Sequence, residues 1–126
     1  MASDKLQHVF NAWLDRVLAE PVPDSIIAFS FNLAEPWCIE LVGFDWYSDG
    51  DPDWGCPPET FRSAVGDLDL REEEVGEDWK SVLEAAKAMV SAYLDRPSPG
   101  RDRVHKAVAV AIGFVDGELY KFWPKA

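Results

Sequence analysis

The sequence predicts an α+β fold, with a single antiparallel sheet of about four strands and two amphipathic helices packed on one face. This prediction rests on two stretches of apolar residues at helical spacing, two pairs of alternating strands, and turn residues between them. The predicted element order is α-β-β-loop-α-β-β. With 126 residues, of which 48% are hydrophobic, the chain fits a single domain covering residues 1–126.

The first helix is predicted from apolar residues spaced three and four apart. The members of this stripe are Leu6, Val9, Phe10, Trp13, Leu14, Val17 and Leu18. Ser3 stands at the position of an N-cap, and Pro21 and Pro23 end the helix. Because Trp13 lies in the middle of the stripe, it is predicted to belong to the core.

An antiparallel hairpin is predicted next. Residues 25–33 alternate between larger apolar side chains and small or polar ones, with Phe29 and Phe31 on the same face. The short turn at residues 34–36 leads into a return strand at residues 37–44.

A long acidic segment without regular periodicity follows at residues 45–76. The stretch 45–78 holds twelve acidic residues but only Arg62 and Arg71 as basic ones, so it carries −10 of the chain's net charge of −11. Its density of Gly, Pro and Asp predicts a loop over residues 45–59, with a short strand or turn at 60–65. A connection of this length in a small domain usually serves a function.

The second half of the chain predicts one more helix and one more hairpin. The helix covers residues 77–95, and its apolar stripe consists of Trp79, Val82, Leu83, Ala86, Met89, Val90, Tyr93 and Leu94. The Pro-Ser-Pro-Gly string at residues 97–100 ends this helix. Residues 108–114 and 118–123 are predicted to be strands, joined by a two-residue turn at Asp116 and Gly117.

No motif of the sequence points to catalysis. His8 and His105 are isolated, and no spacing suggests a Ser-His-Asp or Cys-His arrangement or a glycine-rich phosphate loop. We therefore predict no enzyme activity, no catalytic residue and no cofactor. Cys38 and Cys56 are predicted to be reduced thiols, with a disulfide as the alternative. The chain shows neither a membrane span nor a signal peptide, which predicts a cytoplasmic protein without membrane contact.

The predicted partner-binding site is the acidic-aromatic loop. It consists of Asp45, Trp46, Tyr47, Asp49, Asp51, Asp53 and Trp54. The aspartates would steer a basic protein partner towards the loop, and the aromatic side chains would anchor it by packing. The same charge disfavours nucleic acid as a partner. An alternative is that the loop is solvated surface, with Trp46 or Trp54 folded back over the sheet.

A metal site in this loop is the second alternative. Asp49, Asp51 and Asp53 match the first three ligand positions of an EF-hand loop, but Trp54 stands where the sharp turn needs glycine and Thr60 where the last ligand should be glutamate. No metal ligand is therefore assigned. A carboxylate module for a metal or small ligand, and an orphan structural or regulatory domain, remain open, as does the oligomeric state.

Four short strings occur together in this chain at residues 31–33, 37–43, 53–56 and 113–119. They read Phe-Asn-Leu, Trp-Cys-Ile-Glu-Leu-Val-Gly, Asp-Trp-Gly-Cys and Gly-Phe-Val-Asp-Gly-Glu-Leu. Together they resemble small bacterial cytosolic immunity proteins, and immunity-like orphans, of polymorphic toxin systems. The resemblance spans roughly residues 29–119 and implies a toxin-neutralising role without catalytic residues. It implies no particular toxin, although the basic cleft of a nuclease would suit an acidic mimic of its substrate.

Overall fold

The computed structural model describes residues 4–48, 50, 54, 59–114 and 119–123, which form a mixed α+β fold. The elements in chain order are α1 (Asp4–Ala19), β1 (Ala28–Ala34), β2 (Cys38–Phe44), β3 (Phe61–Arg62), β4 (Leu68–Asp69), α2 (Glu72–Val75), α3 (Trp79–Asp95), α4 (Pro99–His105), β5 (Ala109–Phe114) and β6 (Tyr120–Trp123). The predicted α+β class is confirmed. Among the described residues the sheet has six strands instead of about four, and the number of helices and the pairing of the strands also differ from the prediction.

The sheet is mixed, and its strand order is β3-β2-β1-β5-β6, with β4 pairing β2 as well. The predicted hairpin is present, because β1 and β2 pair antiparallel from Ala28 opposite Phe44 to Ala34 opposite Cys38. However, β1 and β5 are parallel, with Ala28 opposite Ala109. The all-antiparallel sheet was therefore wrong. The helices between β2 and β5 carry the chain back along the sheet, so that β5 begins at the same end as β1.

Helices α1, α3 and α4 pack on one face of the sheet. The core on this face joins helix residues such as Phe10 and Met89 to strand residues such as Phe31 and Ile112. Trp13 is buried in this core, as predicted. Residues at the margins of both predicted stripes lie outside it, since Val9 and Trp79 are exposed.

Two short helices, α2 and α4, were not predicted. Asp78 caps α3 by accepting a hydrogen bond from the Ser81 backbone N–H at 2.8 Å, so this helix begins two residues later than predicted. The string expected only to end α3 also begins α4, because Ser98 caps that helix and Pro99 occupies its first turn. His105 is consequently the last residue of a helix.

The opposite face of the sheet carries a second, smaller core. Its buried members are Ala28, Val42, Phe44, Trp54, Ala109 and Ala111, with Trp46, Tyr47 and Leu119 packed against them. Part of the chain after β2 therefore covers this face. Because β1 is buried on both faces, even Ser30 has no exposed surface.

The last predicted hairpin is confirmed in its antiparallel pairing, with Ile112 opposite Tyr120. The predicted turn at Asp116 and Gly117 lies outside the described residues. Within the described ranges, no helix combines the length and the apolar character that crossing a bilayer requires.

Candidate partner-binding site

The acidic segment, residues 45–78, pairs with the outer edge of β2 at two places. It leaves β2 at Asp45, pairs with Val42 through β3, and pairs with Cys38 at the other end of the strand through β4. The seven residues of β2 span about 20 Å at ~3.4 Å per residue. The described acidic residues of the segment are thus divided between the two ends of β2, with Asp45 at one end and Asp69 at the other.

The first end holds the described part of the predicted site, which we name the loop patch: Asp45, Trp46, Tyr47 and Trp54. Asp45 is exposed, and Trp46 and Tyr47 are half-buried. Trp54 is only 3% exposed, because its ring packs edge-on against Phe44 and Tyr47 at centroid distances of 5.9 and 5.2 Å. Trp54 is therefore part of the second core, and this conformation does not present it as an exposed anchor.

Three predicted site residues, Asp49, Asp51 and Asp53, lie outside the described residues. Their role in steering a partner, and their alternative role as ion ligands, stay predictions. Among the residues that the structure does describe, no three His, Cys, Asp or Glu side chains come together in a group that could hold a metal ion.

Arg62, one of the two arginines in the acidic segment, is held by two carboxylates, Glu40 of β2 and Glu59 just before β3. Its guanidinium lies 2.7 Å from Glu40 Oε1 and 2.6 Å from Glu59 Oε1. The backbone N–H of Glu59 and this guanidinium lower the pKa of Glu59. Glu40 also accepts a hydrogen bond from the Asn32 side chain at 3.4 Å. Arg62 is therefore engaged with one acid of β2 and one acid of the segment.

The middle of the acidic segment is tied to α1 by two sets of hydrogen bonds. Beyond the end of α1, Glu20 accepts from the Ser63 hydroxyl and from the Ala64 backbone N–H, and the Ser63 hydroxyl is the main cause of a lowered Glu20 pKa. Trp13 Nε1 donates to the Gly66 carbonyl oxygen at 2.9 Å. Gly66 adopts a φ of 88°, which favours glycine, so the turn that presents this carbonyl depends on that residue.

The second end of the segment forms a feature that the sequence did not reveal, which we name the indole groove. It lies where β2 begins and α2 starts, and its volume is about 550 Å³. The residues that line it are Glu35, Pro36, Trp37, Asp69, Leu70, Glu72 and Glu77. Four acidic residues and one tryptophan are therefore among the residues that line this groove.

An aromatic cluster continues from the groove towards the start of α3. The half-buried Trp37 ring meets Phe114 edge-on at 5.8 Å, and Phe114 meets Trp79 in the same way at 6.4 Å. Trp79 is 53% exposed. Trp37 Nε1 is buried and has no hydrogen-bond partner among the described residues.

Sequence reasoning missed the indole groove because its acids are far apart along the chain. Glu35 lies in the hairpin turn, whereas Asp69 reaches the groove only because β4 pairs with the start of β2. The run Glu72-Glu73-Glu74 was the one local signal of concentrated charge. Trp79 fitted the helical stripe, but its position at the first residue of α3 places it beyond the core.

The Cys38 thiol reports the electrostatic field at this end of the sheet. Burial, followed by the nearby Asp67 carboxylate at 3.7 Å from Sγ, raises the pKa of Cys38, and Asp69 and Glu40 act in the same direction.

In a Cys56→Ser background, alkylation of Cys38 near pH 8 should be slower than that of a free thiol, because the thiolate is the reactive form. Asp67→Asn should increase the alkylation rate severalfold and shift the rate–pH profile to lower pH.

The matched control for this measurement is Asp45→Asn, which removes a charge at the other end of β2. It should leave the alkylation rate of Cys38 unchanged. Equal rates in the Asp67→Asn variant and its parent would contradict an electrostatic effect of Asp67 on the thiol.

Comparison of the chain with protein-family models, with curated proteins and with solved structures gives no match. The resemblance to immunity proteins therefore stays a prediction, carried by the four short strings of the sequence.

Proposed function

We propose that this chain is a non-enzymatic cytoplasmic binding protein that captures and neutralises a basic protein, as an immunity protein does with its cognate toxin. One observation carries the proposal: residues 59–69 of the acidic segment form a strip that β3 and β4 hold against the edge of β2. A fixed array of like charges focuses the electrostatic potential and increases the association rate of an oppositely charged protein.

The tethering of the strip supports this function. The bonds from Glu20 and Trp13 fix the backbone at residues 63–66, so little conformational entropy remains to be lost when a partner binds. With Arg62 held by Glu40 and Glu59, the segment presents its negative charge to an incoming surface. A basic cleft, such as that of a nuclease toxin, is the surface that this charge favours.

The loop patch contributes to this binding through two kinds of side chain. Asp45, with Asp49, Asp51 and Asp53, steers the partner, and the exposed parts of Trp46 and Tyr47 pack against it. Trp54 supports the Tyr47 side chain, because its buried ring packs against the Tyr47 ring with a centroid distance of 5.2 Å. Its contribution to binding is therefore indirect.

The proposal is tested by affinity capture from the native bacterial lysate at low salt, with elution in a rising salt gradient and mass spectrometry of each fraction. The wild type is compared with a variant in which Asp45, Asp49, Asp51 and Asp53 are replaced by Asn. We expect one basic protein that the wild type retains and the variant loses. With the purified pair, the variant should show a lower association rate and a flatter salt dependence.

A growth assay then tests neutralisation directly. Expression of the captured protein should arrest growth, and co-expression of the wild-type chain should restore it.

An unchanged salt dependence in the four-Asn variant would place the interface outside the loop patch. Recovery of only chaperones, or of the chain itself, would favour an orphan domain, and a thermal midpoint raised by calcium would favour the metal-binding alternative.

A further inference from the structure

The strip crosses from β3 to β4 through a turn that apolar burial does not hold. Phe61 and Leu70, on either side of this turn, are buried in the main core. Residues 63–67 between them are half-buried or exposed. Segments without buried apolar side chains are the first to open locally, so the order of this turn depends on its hydrogen bonds.

The Glu20 carboxylate meets the turn at hydrogen-bond donors. The Ser63 hydroxyl donates to one carboxylate oxygen, and the Ala64 backbone N–H donates to the other at 2.9 Å. The Ser63 oxygen already accepts from the Val65 N–H at 3.0 Å. Such a site suits an ionised carboxylate, which only accepts, but not a carboxylic acid, which must also donate its proton. Protonation would in addition replace charge-assisted hydrogen bonds with weaker neutral ones.

The backbone of Glu20 is bound independently of the strip. Its N–H donates to the Val17 carbonyl oxygen at 3.3 Å, and its own carbonyl oxygen accepts from Arg103 Nη1 of α4 at 2.8 Å. The position of Glu20 is therefore set by α1 and α4, and its side chain reaches the turn from a fixed base.

Among the described residues, no charged side chain forms an ion pair with the Glu20 carboxylate. The charged residues on the elements around it are Arg16 in the last turn of α1, Arg103 of α4, and Arg62 and Asp67 on either side of the turn. Arg103 binds the Glu20 backbone, Arg62 binds two other carboxylates, and Asp67 lies beside a thiol. The donors of the turn are thus the groups that respond to the charge of Glu20.

We propose that Glu20 is an acid-sensitive latch: the ionised carboxylate holds residues 63–65 in place, and protonation releases them while β1, β2 and the three longer helices stay folded. The latch does not depend on the proposed function. If the chain does capture a basic protein, opening of the latch in acid weakens that capture, because the strip loses its pre-organisation.

The direction of the pH dependence follows from the contacts. The Ser63 hydroxyl is the largest cause of a lowered Glu20 pKa, and the backbone N–H groups of Ala64 and Val65 act in the same direction, against burial. The stabilisation by the ionised carboxylate is therefore complete above the ordinary glutamate pKa of about 4.3, and it is lost as the pH falls below that value. The latch is closed at neutral pH.

The first test imitates the protonated state at neutral pH with Glu20→Gln in the full chain. The amide side chain has no charge and brings two N–H donors to a site made of donors. We expect hydrogen exchange of the Ala64 and Val65 amides to accelerate about tenfold, since charge-assisted bonds are lost. Exchange in β1 should keep its wild-type rate. The matched control is Asp24→Asn, which removes an exposed carboxylate shortly after α1 and should change none of these rates.

The second test is an acid titration of the ¹⁵N-labelled wild type, followed by heteronuclear NOE. The values of Ala64 and Val65 should fall with a midpoint below about pH 4.3, whereas that of Phe31 in β1 should remain high. In Glu20→Gln the values of Ala64 and Val65 should be low at every pH and show no such transition. The wild-type titration decides by itself if the variant does not fold.

Three results would each overturn the inference. They are a wild-type exchange rate of Ala64 in Glu20→Gln, an acid transition that persists in this variant, and a wild type in which Phe31 loses its order together with Ala64. The last result would mean that acid unfolds the whole chain instead of the turn. All of these measurements use the chain alone, so failure of the latch leaves the proposed function standing, and failure to capture a basic protein leaves the latch standing.

Discussion

Replacing Trp54 by alanine is expected to lower the free energy of unfolding by about 3–5 kcal/mol, the usual cost of truncating a buried tryptophan. The indole is 3% exposed and packs against Phe44 and Tyr47, so its loss opens a cavity in the second core. The change is measured by urea denaturation, from the shift of the midpoint at constant slope.

Trp79→Ala is the matched control, because it removes the same side chain at a site that is 53% exposed. We expect it to cost less than about 1 kcal/mol. A Trp54→Ala variant as stable as the wild type would show that Trp54 does not hold the second core together. It would also restore the sequence prediction that this residue is an exposed anchor.

Trp13→Ala is expected to have a comparable effect, again about 3–5 kcal/mol, because the ring lies in the main core. Trp13→Phe separates the hydrogen bond from the packing. It keeps an aromatic ring but leaves the Gly66 carbonyl oxygen without its donor, which should cost about 1–3 kcal/mol. Hydrogen exchange of backbone amides near Gly66 should also accelerate, since the acidic segment loses one of its ties to α1.

The chain offers a control for this second effect in Trp37→Phe. That substitution also converts an indole to a phenyl ring, but it removes an N–H that has no partner among the described residues. It should therefore leave exchange near Gly66 unchanged. Similar exchange in the Trp13→Phe and Trp37→Phe variants would mean that the hydrogen bond to Gly66 does not restrain the segment.

The elements that the sequence predicted well are those defined by neighbouring residues. The stripe around Phe10 and Trp13 requires only helical spacing, and the β1–β2 hairpin requires only a short turn between two alternating runs. The parallel pairing of β1 with β5 could not be predicted in this way. The direction of β5 depends on how α3 and α4 cross the sheet. The start of α4 was not predicted, because the proline-rich string that contains it was interpreted only as the end of α3.

The candidate site shows the same limit. Because Trp54 is surrounded by acidic and small residues, its sequence context agrees equally with an exposed anchor and with a residue that covers the sheet. The structure shows that it covers the sheet, where Phe44, Val42 and Ala109 form an apolar face. The indole groove has no local signature, because β4 brings Asp69 to the start of β2 by strand pairing. Sequence showed where the charge is concentrated, and the fold decides how it is divided.

The parallel partner of β1 also determines when the fold can be completed during synthesis. The β1–β2 hairpin closes over a short turn, but β1 is a central strand whose other edge is paired only by β5, close to the end of the described chain. Until β5 leaves the ribosome, that edge exposes unpaired backbone groups and can pair with other chains. Because non-local pairing forms slowly, chains shortened before Ala109 are expected to aggregate, although they contain both the acidic segment and α3.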